Sequence, residues 1–272
     1  MSVSSAGFDL GPAILFCPAD RPERYEKALE RADAVILDLE DAVAPAHKDA
    51  ARAALLAHPI DPERVIVRVN GFATDAFEAD LAALRKTSYT RIMLPKASSA
   101  PEIDALRGYD VIALCETAAG ILAAPQIAAV AHVVALMWGA EDLVASLGGT
   151  SSRLDDGRYR DVARFARSAV LLAAAANETA VIDSVYLNIA DLAGLSIEAR
   201  DAAAVGFAAT ACIHPSQVAV IREAYAPPTA QVERARAVLA AAENQHGVFT
   251  FEGQMVDEPV LRHARNVLAR AR

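Results

Sequence analysis

The stretch DVIALCETAAGILAAPQIAAVAHVVALMWGAEDL, residues 110–143, organises how the whole chain reads. It holds two apolar runs, VIALC at 111–115 and VVALMW at 133–138, and each stops against carboxylates: Glu116 after the first, Glu141 and Asp142 after the second. A short apolar run bounded by cap or turn residues is the pattern of a strand buried on both faces. Residues 118–131 between them have helical length and an alanine-rich composition, which makes the unit β–α–β. Consecutive parallel strands of such a unit lie side by side, so their C-terminal ends come together. Glu116 and Asp142 are therefore expected in one small volume, where two carboxylates repel unless a proton or a divalent cation lies between them. Hard oxygen donors with room left for water and substrate suit Mg2+, with Mn2+ as a substitute. The alternative is that Thr117 caps the following helix and the acids merely complement its dipole.

The same alternation extends on both sides. Apolar runs at 13–17, 34–39, 64–69 and 90–94 come before this unit, and runs at 180–187 and 208–213 come after it. Helices are expected from near Pro22 and over 46–57, 75–86, 159–176, 196–205 and 217–225. Strand and helix thus alternate eight times before the Pro227–Pro228 pair, as in a (β/α)8 TIM barrel. An open doubly wound sheet is the rival, but no GxGxxG follows the first strand. The expected division is a barrel over 1–228 and a C-terminal helical extension over 229–272. That extension reads as a helix over 229–244, then GVFTFEGQMVD at 247–257, then a last helix from Pro259.

Composition narrows the class. With 54% hydrophobic and only 6% aromatic residues in 272, the core must be large and mainly aliphatic. A net charge of −9 without a basic stripe argues against nucleic-acid binding. No apolar run approaches membrane-spanning length, and the N-terminus lacks a basic region followed by an apolar segment. Cys17, Cys115 and Cys212 sit in apolar runs without metal-binding spacing, as buried reduced thiols of a cytoplasmic protein would.

Barrel enzymes place their chemistry at the C-terminal ends of the strands. Those ends supply Asp20, Glu40 with Asp41, Arg68 with Asn70, Lys96, Glu116, Asp142, Asn188 and His214. Charge at nearly every end is not one solvated face, because such residues are rarely buried without partners. Arg68 is the sharpest case, set inside the apolar run VIVRV, where it needs carboxylates from the metal site, from substrate, or from Glu40 or Asp41 in a structural pair. Glu40 and Asp41 stand with it as catalytic candidates. Lys96 is a phosphate or carboxylate contact or a solvated lysine; His214 is a ligand contact or a hydrogen-bonded loop histidine.

Taken together, AILFCPADRPER, VILDLEDAV, VIVRVN, IMLPKA, ALCETAAG, MWGAEDL, IHPSQ and FEGQMVD resemble the HpcH/HpaI aldolase and citrate lyase β-subunit superfamily, and within it the stand-alone actinobacterial β-hydroxyacyl-CoA lyases. The resemblance spans almost the whole chain. It implies a Mg2+-dependent barrel, a homotrimer, cleaving a 3-hydroxyacyl-CoA such as citramalyl-CoA or malyl-CoA into acetyl-CoA and a 2-oxo acid. By motif, Glu116 and Asp142 become the metal ligands and Arg68 the enolate stabiliser. Asp257 becomes the acid that a neighbouring subunit swings over the site like a lid, and Asn188 replaces an Asp seen in many relatives. Cleavage beside a hydroxyl suits these types: a metal polarises the oxygen that becomes a carbonyl, a fixed cation holds the enolate, and an acid returns a proton. Arg21, Arg24, Lys27 and Lys96 are candidate contacts for the CoA phosphates. Two alternatives remain: the citryl-CoA lyase component of a citrate lyase complex, and a non-catalytic CoA-binding regulator.

Overall fold

The computed structural model describes residues 8–243, 245 and 247–271; residues 1–7, where a leader was sought, and Asn244, the expected end of a tail helix, lie outside them. Eight parallel strands close into a barrel in chain order: β1 (Ala13–Pro18), β2 (Ala34–Asp38), β3 (Val65–Arg68), β4 (Arg91–Leu94), β5 (Asp110–Cys115), β6 (Val133–Trp138), β7 (Ala180–Asp183) and β8 (Ala209–Cys212). The chain divides into two compact units, one ending at Ile221 and one beginning at Arg222.

Residues two apart share one face of a strand. Ile14, Ile36, Ile66, Met93, Ile112, Leu114, Met137 and Ile182 form a single buried cluster, which is the barrel interior. Each such side chain, fully buried, contributes about 1.5–3 kcal/mol of transfer free energy. The same period carries three charged residues inward at the strand ends: Asp38 follows Ile36, Arg68 follows Ile66, and Glu116 follows Leu114. The odd partners face the surrounding helices, which is why Val35, Leu37, Val67, Ala113 and Leu136 are also fully buried. Both faces are covered, and the runs are continuous rather than alternating.

The helices of the first unit are α1 (Tyr25–Arg31), α2 (Lys48–Ala57), α3 (Asp75–Leu84), α4 (Ala100–Asp104), α5 (Ala118–Ala128), α6 (Ala140–Ser146), α7 (Asp161–Ala176) and α8 (Leu192–Val205), and the division between the units falls within α9 (Pro215–Tyr225). Helix α7 buries Ala163, Ala166, Ala173 and Ala174, small residues that let it lie close to its neighbours. Helices α4 and α6 were not expected, because five and seven residues are too few to show a helical period. Strand β7 also stops four residues short of the run read at 180–187. Val185, Tyr186 and Leu187 keep the run strand-like in composition, but the ladder to β8 ends at Asp183.

The second unit contains α10 (Thr229–Ala242), a hairpin of β9 (Phe249–Phe251) and β10 (Gln254–Val256), and α11 (Glu258–Arg270). Glu252 and Gly253 form its two-residue turn with φ of 49° and 76°, the left-handed pair that matches strand twist. Val256 pairs with Phe249, while Met255 pairs with Thr250 on the opposite face. Accordingly Phe249, Phe251 and Val256 pack with Ala235, Val238 and Ala264 of the helices. Val248 and Met255 are left exposed at 65% and 64%. Among the described residues no helix is long and apolar enough to cross a membrane.

Candidate active site

Arg68 is set by its strand pairing. Asp38 and Arg68 are register partners at the ends of β2 and β3, both pointing inward. Asp38 Oδ1 accepts from Arg68 Nε at 2.7 Å and Oδ2 from Nη2 at 2.5 Å, a two-pronged pair buried from solvent. The same carboxylate accepts the backbone N–H groups of Glu40 and Ala42, so one side chain fixes both the guanidinium and the loop after β2. Arg68 Nη1 lies 2.9 Å from Glu40 Oε2, and the Phe16 ring sits 4.9 Å beneath the guanidinium. Burial pulls the Arg68 pKa down, but Asp38, Glu40 and Glu116 more than restore it, so the charge is permanent. The structural partner expected for Arg68 was Glu40 or Asp41. Asp38 is the principal one, and it went unremarked because Glu40 and Asp41 beside it drew the attention.

Four carboxylates gather around Lys96. Its Nζ is 2.7 Å from Glu40 Oε1, 3.3 Å from Asp142 Oδ1, 3.5 Å from Asp41 Oδ2 and 4.0 Å from Glu116 Oε1. Its backbone N–H donates to Glu116 Oε1 at 3.1 Å. Glu116 follows β5 directly and is buried, whereas Asp142 lies in the first turn of α6, four residues past β6, and is half-exposed. The two acids meet, though not at matching places on their strands. Gly139 makes the approach possible, since a Cβ there would stand 2.6 Å from Glu116 Oε2. Burial first, and the Asp142 charge second, push the Glu116 carboxyl up to about 8; Lys96 pulls the other way. Burial likewise raises Glu40. Thr117 does cap α5, accepting from the Gly120 N–H at 3.1 Å, so cap and acid are separate, adjacent features.

The other candidates fall away from this cluster in their contacts. Asn70 is buried and bound to Asp80 and to the Leu39 carbonyl, anchoring the end of β3 to α3. His214 is exposed and holds Ser216 through Nδ1, at the start of α9. Arg21, Arg24 and Lys27 are exposed; Arg21 lies 3.7 Å from Asp20 and Arg24 3.8 Å from Glu23. Asn188 is an exposed loop residue, and the polar end of β7 is instead Asp183. Asp183 faces the helix layer, where it accepts from Trp138 Nε1 at 2.6 Å and from Arg167 of α7. Its signal was present in VIDSVYL, but the apolar run continuing past it hid the strand end. Asp257, in the second unit, caps α11 by accepting from the Val260 N–H at 3.3 Å. Cys17, Cys115 and Cys212 are buried thiols, and burial pushes Cys17 up to about 11 and Cys115 to about 12, away from nucleophilic use.

Among the described residues no three His, Cys, Asp or Glu side chains close into a metal cage. Glu116 and Asp142 nevertheless fit a divalent hard cation as a pair. Both offer oxygen, and the repulsion that raises Glu116 is what such an ion relieves, the remaining positions falling to water and substrate.

A closed (β/α)8 barrel with acids, an arginine and a lysine massed at the C-terminal ends of its strands has the build of a barrel enzyme. The chain belongs to the HpcH/HpaI aldolase/citrate lyase family, whose model matches residues 13–215. It is 58% identical to the citrate lyase subunit beta-like protein of Mycobacterium tuberculosis, over 96% of each chain. It is 32% identical to the mitochondrial citramalyl-CoA lyase of Homo sapiens, over 95% of this chain and 85% of that one. Its fold superposes on crystalline CitE from Mycobacterium tuberculosis, in complex with magnesium, acetoacetate and coenzyme A, with a TM-score of 0.92, 58% identity and coverage of 96% and 98%.

Proposed function

We propose that this chain is a Mg2+-dependent carbon–carbon lyase that cleaves a 3-hydroxyacyl-CoA, such as citramalyl-CoA or malyl-CoA, into acetyl-CoA and a 2-oxo acid. The observation that carries it is the convergence of Glu40, Asp41, Glu116 and Asp142 on one point beside a pinned, buried Arg68. Magnesium and coenzyme A in the related CitE support the same assignment. Glu116 and Asp142 would hold the ion, which supplies a Lewis acid for the substrate oxygen. Asp38 occupies one edge of the Arg68 guanidinium and Glu40 stands 2.9 Å from Nη1, so the group is fixed in place with its remaining N–H groups to offer to an enolate oxygen, without the reorientation that water would require. Glu40, raised by burial and bonded to Lys96, is a candidate for proton transfer, with Asp41 beside it. Lys96, His214, Arg21, Arg24 and Lys27 remain the candidate contacts for substrate anions and CoA phosphates.

We further read residues 229–272 as an extension that lends Asp257 to a neighbour in a homotrimer, as the acid that protonates the enolate carbon. The exposed Val248 and Met255 on the hairpin just before Asp257 support that placement. The deciding experiment is purified protein with Mg2+ on malyl-, citramalyl- and 3-hydroxy-3-methylglutaryl-CoA, following acetyl-CoA release. Release from none of them, in protein that binds the metal, would refute the reading. The relatives named citrate lyase subunit beta-like favour a second one, a citryl-CoA lyase component, which would need partner subunits where the first needs none.

A further inference from the structure

On the basis of the metal pair proposed above, we infer that Lys96 is a built-in counter-cation of that pair, which holds its carboxylates together and sets how tightly a divalent ion binds by having to give way to it. The ammonium is 3.3 Å from Asp142 Oδ1 and 4.0 Å from Glu116 Oε1, with Glu40 and Asp41 closing the ring. A small divalent ion bound by Glu116 and Asp142 needs oxygens at about 2.1 Å. It must therefore share a space a few ångströms wide with a positive charge.

The backbone of Lys96 is fixed at its root, while its side chain is held only at the head, where Nζ donates to Glu40 Oε1 at 2.7 Å. Its φ of 53° lies in the left-handed region that lysine rarely adopts, and its N–H is bonded to Glu116. The next residue is jammed against α5, since a Cβ on Gly120 would meet the Ala97 carbonyl oxygen at 2.3 Å. Beyond this fixed root, the flexible stem is 39% exposed and can swing its strongly hydrated head to solvent. Arg68, buried and donating two hydrogen bonds to Asp38, has no such freedom. The two cations divide the work: Arg68 stays, and Lys96 yields. Once displaced, the ammonium stands at the site's mouth, where an anionic substrate group is its natural partner, so metal loading would precede and favour substrate capture.

The test is calorimetric titration of Mn2+ and Mg2+ into wild type and Lys96→Met, whose neutral side chain keeps the stem and offers no hard ligand. Removing one positive charge a few ångströms from a divalent ion should tighten binding by about 10-fold or more, even with water-like screening. The rise in Tm on metal addition should also be larger in the variant. Peptide-resolved amine labelling of wild type provides a second reading that needs no mutant: Lys96 should label faster with saturating Mg2+ than with EDTA. Equal or weaker metal binding in a folded Lys96→Met protein, or Lys96 labelling unchanged by Mg2+, overturns the inference while leaving the metal reading in place. A wild type that binds no divalent ion refutes both.

Discussion

Acid should loosen the metal site with the slope of a single proton. Glu116 is pushed up to about 8 from an ordinary 4.5, by burial and then by Asp142, and only its ionised form can hold a cation. Below that pH the metal must displace a proton, so apparent affinity should fall about tenfold per unit. Between pH 8, where half of Glu116 is already protonated, and pH 6 the loss is about 50-fold, or about 2.3 kcal/mol. Calorimetric titrations with Mg2+ or Mn2+, repeated in buffers of different ionisation heat, count the protons directly. Near one should leave per ion at about pH 6.5 and near none at about pH 9, and Glu116→Gln should erase the slope while weakening binding. Stability without metal should move in the opposite direction. Between about 4.5 and about 8 the folded chain binds a proton that the unfolded chain does not, so stability is greatest at the acid end of that window and falls as pH rises through it, by up to about 1.4 kcal/mol per unit. Affinity that stays flat from pH 6 to pH 8 would show that Glu116 is already ionised there, and that burial and Asp142 do not control it.

Arg68→Lys should lower kcat by about 100-fold with KM little changed, because lysine keeps the charge but loses the fork that Asp38 orients; a normal kcat with raised KM would make Arg68 a substrate holder. At Asp257, Asn caps a helix as well as Asp, so Asp257→Asn should keep the Tm while Asp257→Ala costs about 1 kcal/mol, and both should lose turnover. Mixing Asp257→Ala with Glu116→Ala and letting subunits exchange should restore part of the activity; verified mixed oligomers that stay inactive would remove Asp257 from a neighbour's site. Asp183→Ala leaves the Trp138 N–H unpaired and Arg167 with Asp201 as its remaining carboxylate, and should cost about 2 kcal/mol in denaturant unfolding, with Mn2+ affinity unchanged.

The barrel was legible because most of its strands are largely apolar runs that give way to a polar residue, and that pattern survives without knowledge of neighbours. Arg68 stood out for the same reason, a charge inside VIVRV. Asp38 carried an equal signal in VILDL, but only the β2–β3 register shows that it faces Arg68 and not the helices. Parity within β6 and β7 separates inward Met137 from outward Trp138 and Asp183, a distinction that needs a fixed register. Asp142 was found while its place was not. The short α6 that carries it has too few residues to announce itself, and the meeting with Glu116 depends on Gly139 lacking a side chain. Along 248–256, composition alone does not say which face each apolar residue takes. Cross-strand pairing sends Phe249, Phe251 and Val256 inward and leaves Met255 out.

Trp138 is the chain's single tryptophan, wholly buried at the end of β6, with its indole N–H on Asp183. Its backbone partner across the ladder is Cys115, the residue before Glu116, and the next residue, Gly139, abuts the Glu116 carboxylate. The molecule therefore contains its own optical probe beside Glu116, one of the acids on which its chemistry is proposed to turn. Excited at the red edge of its absorption, where the six tyrosines are dark, this indole should emit at short wavelength, as buried indoles do. Any rearrangement of Glu116 on taking up a cation or a proton would be recorded as a change in the intensity of one fluorophore, with no label attached.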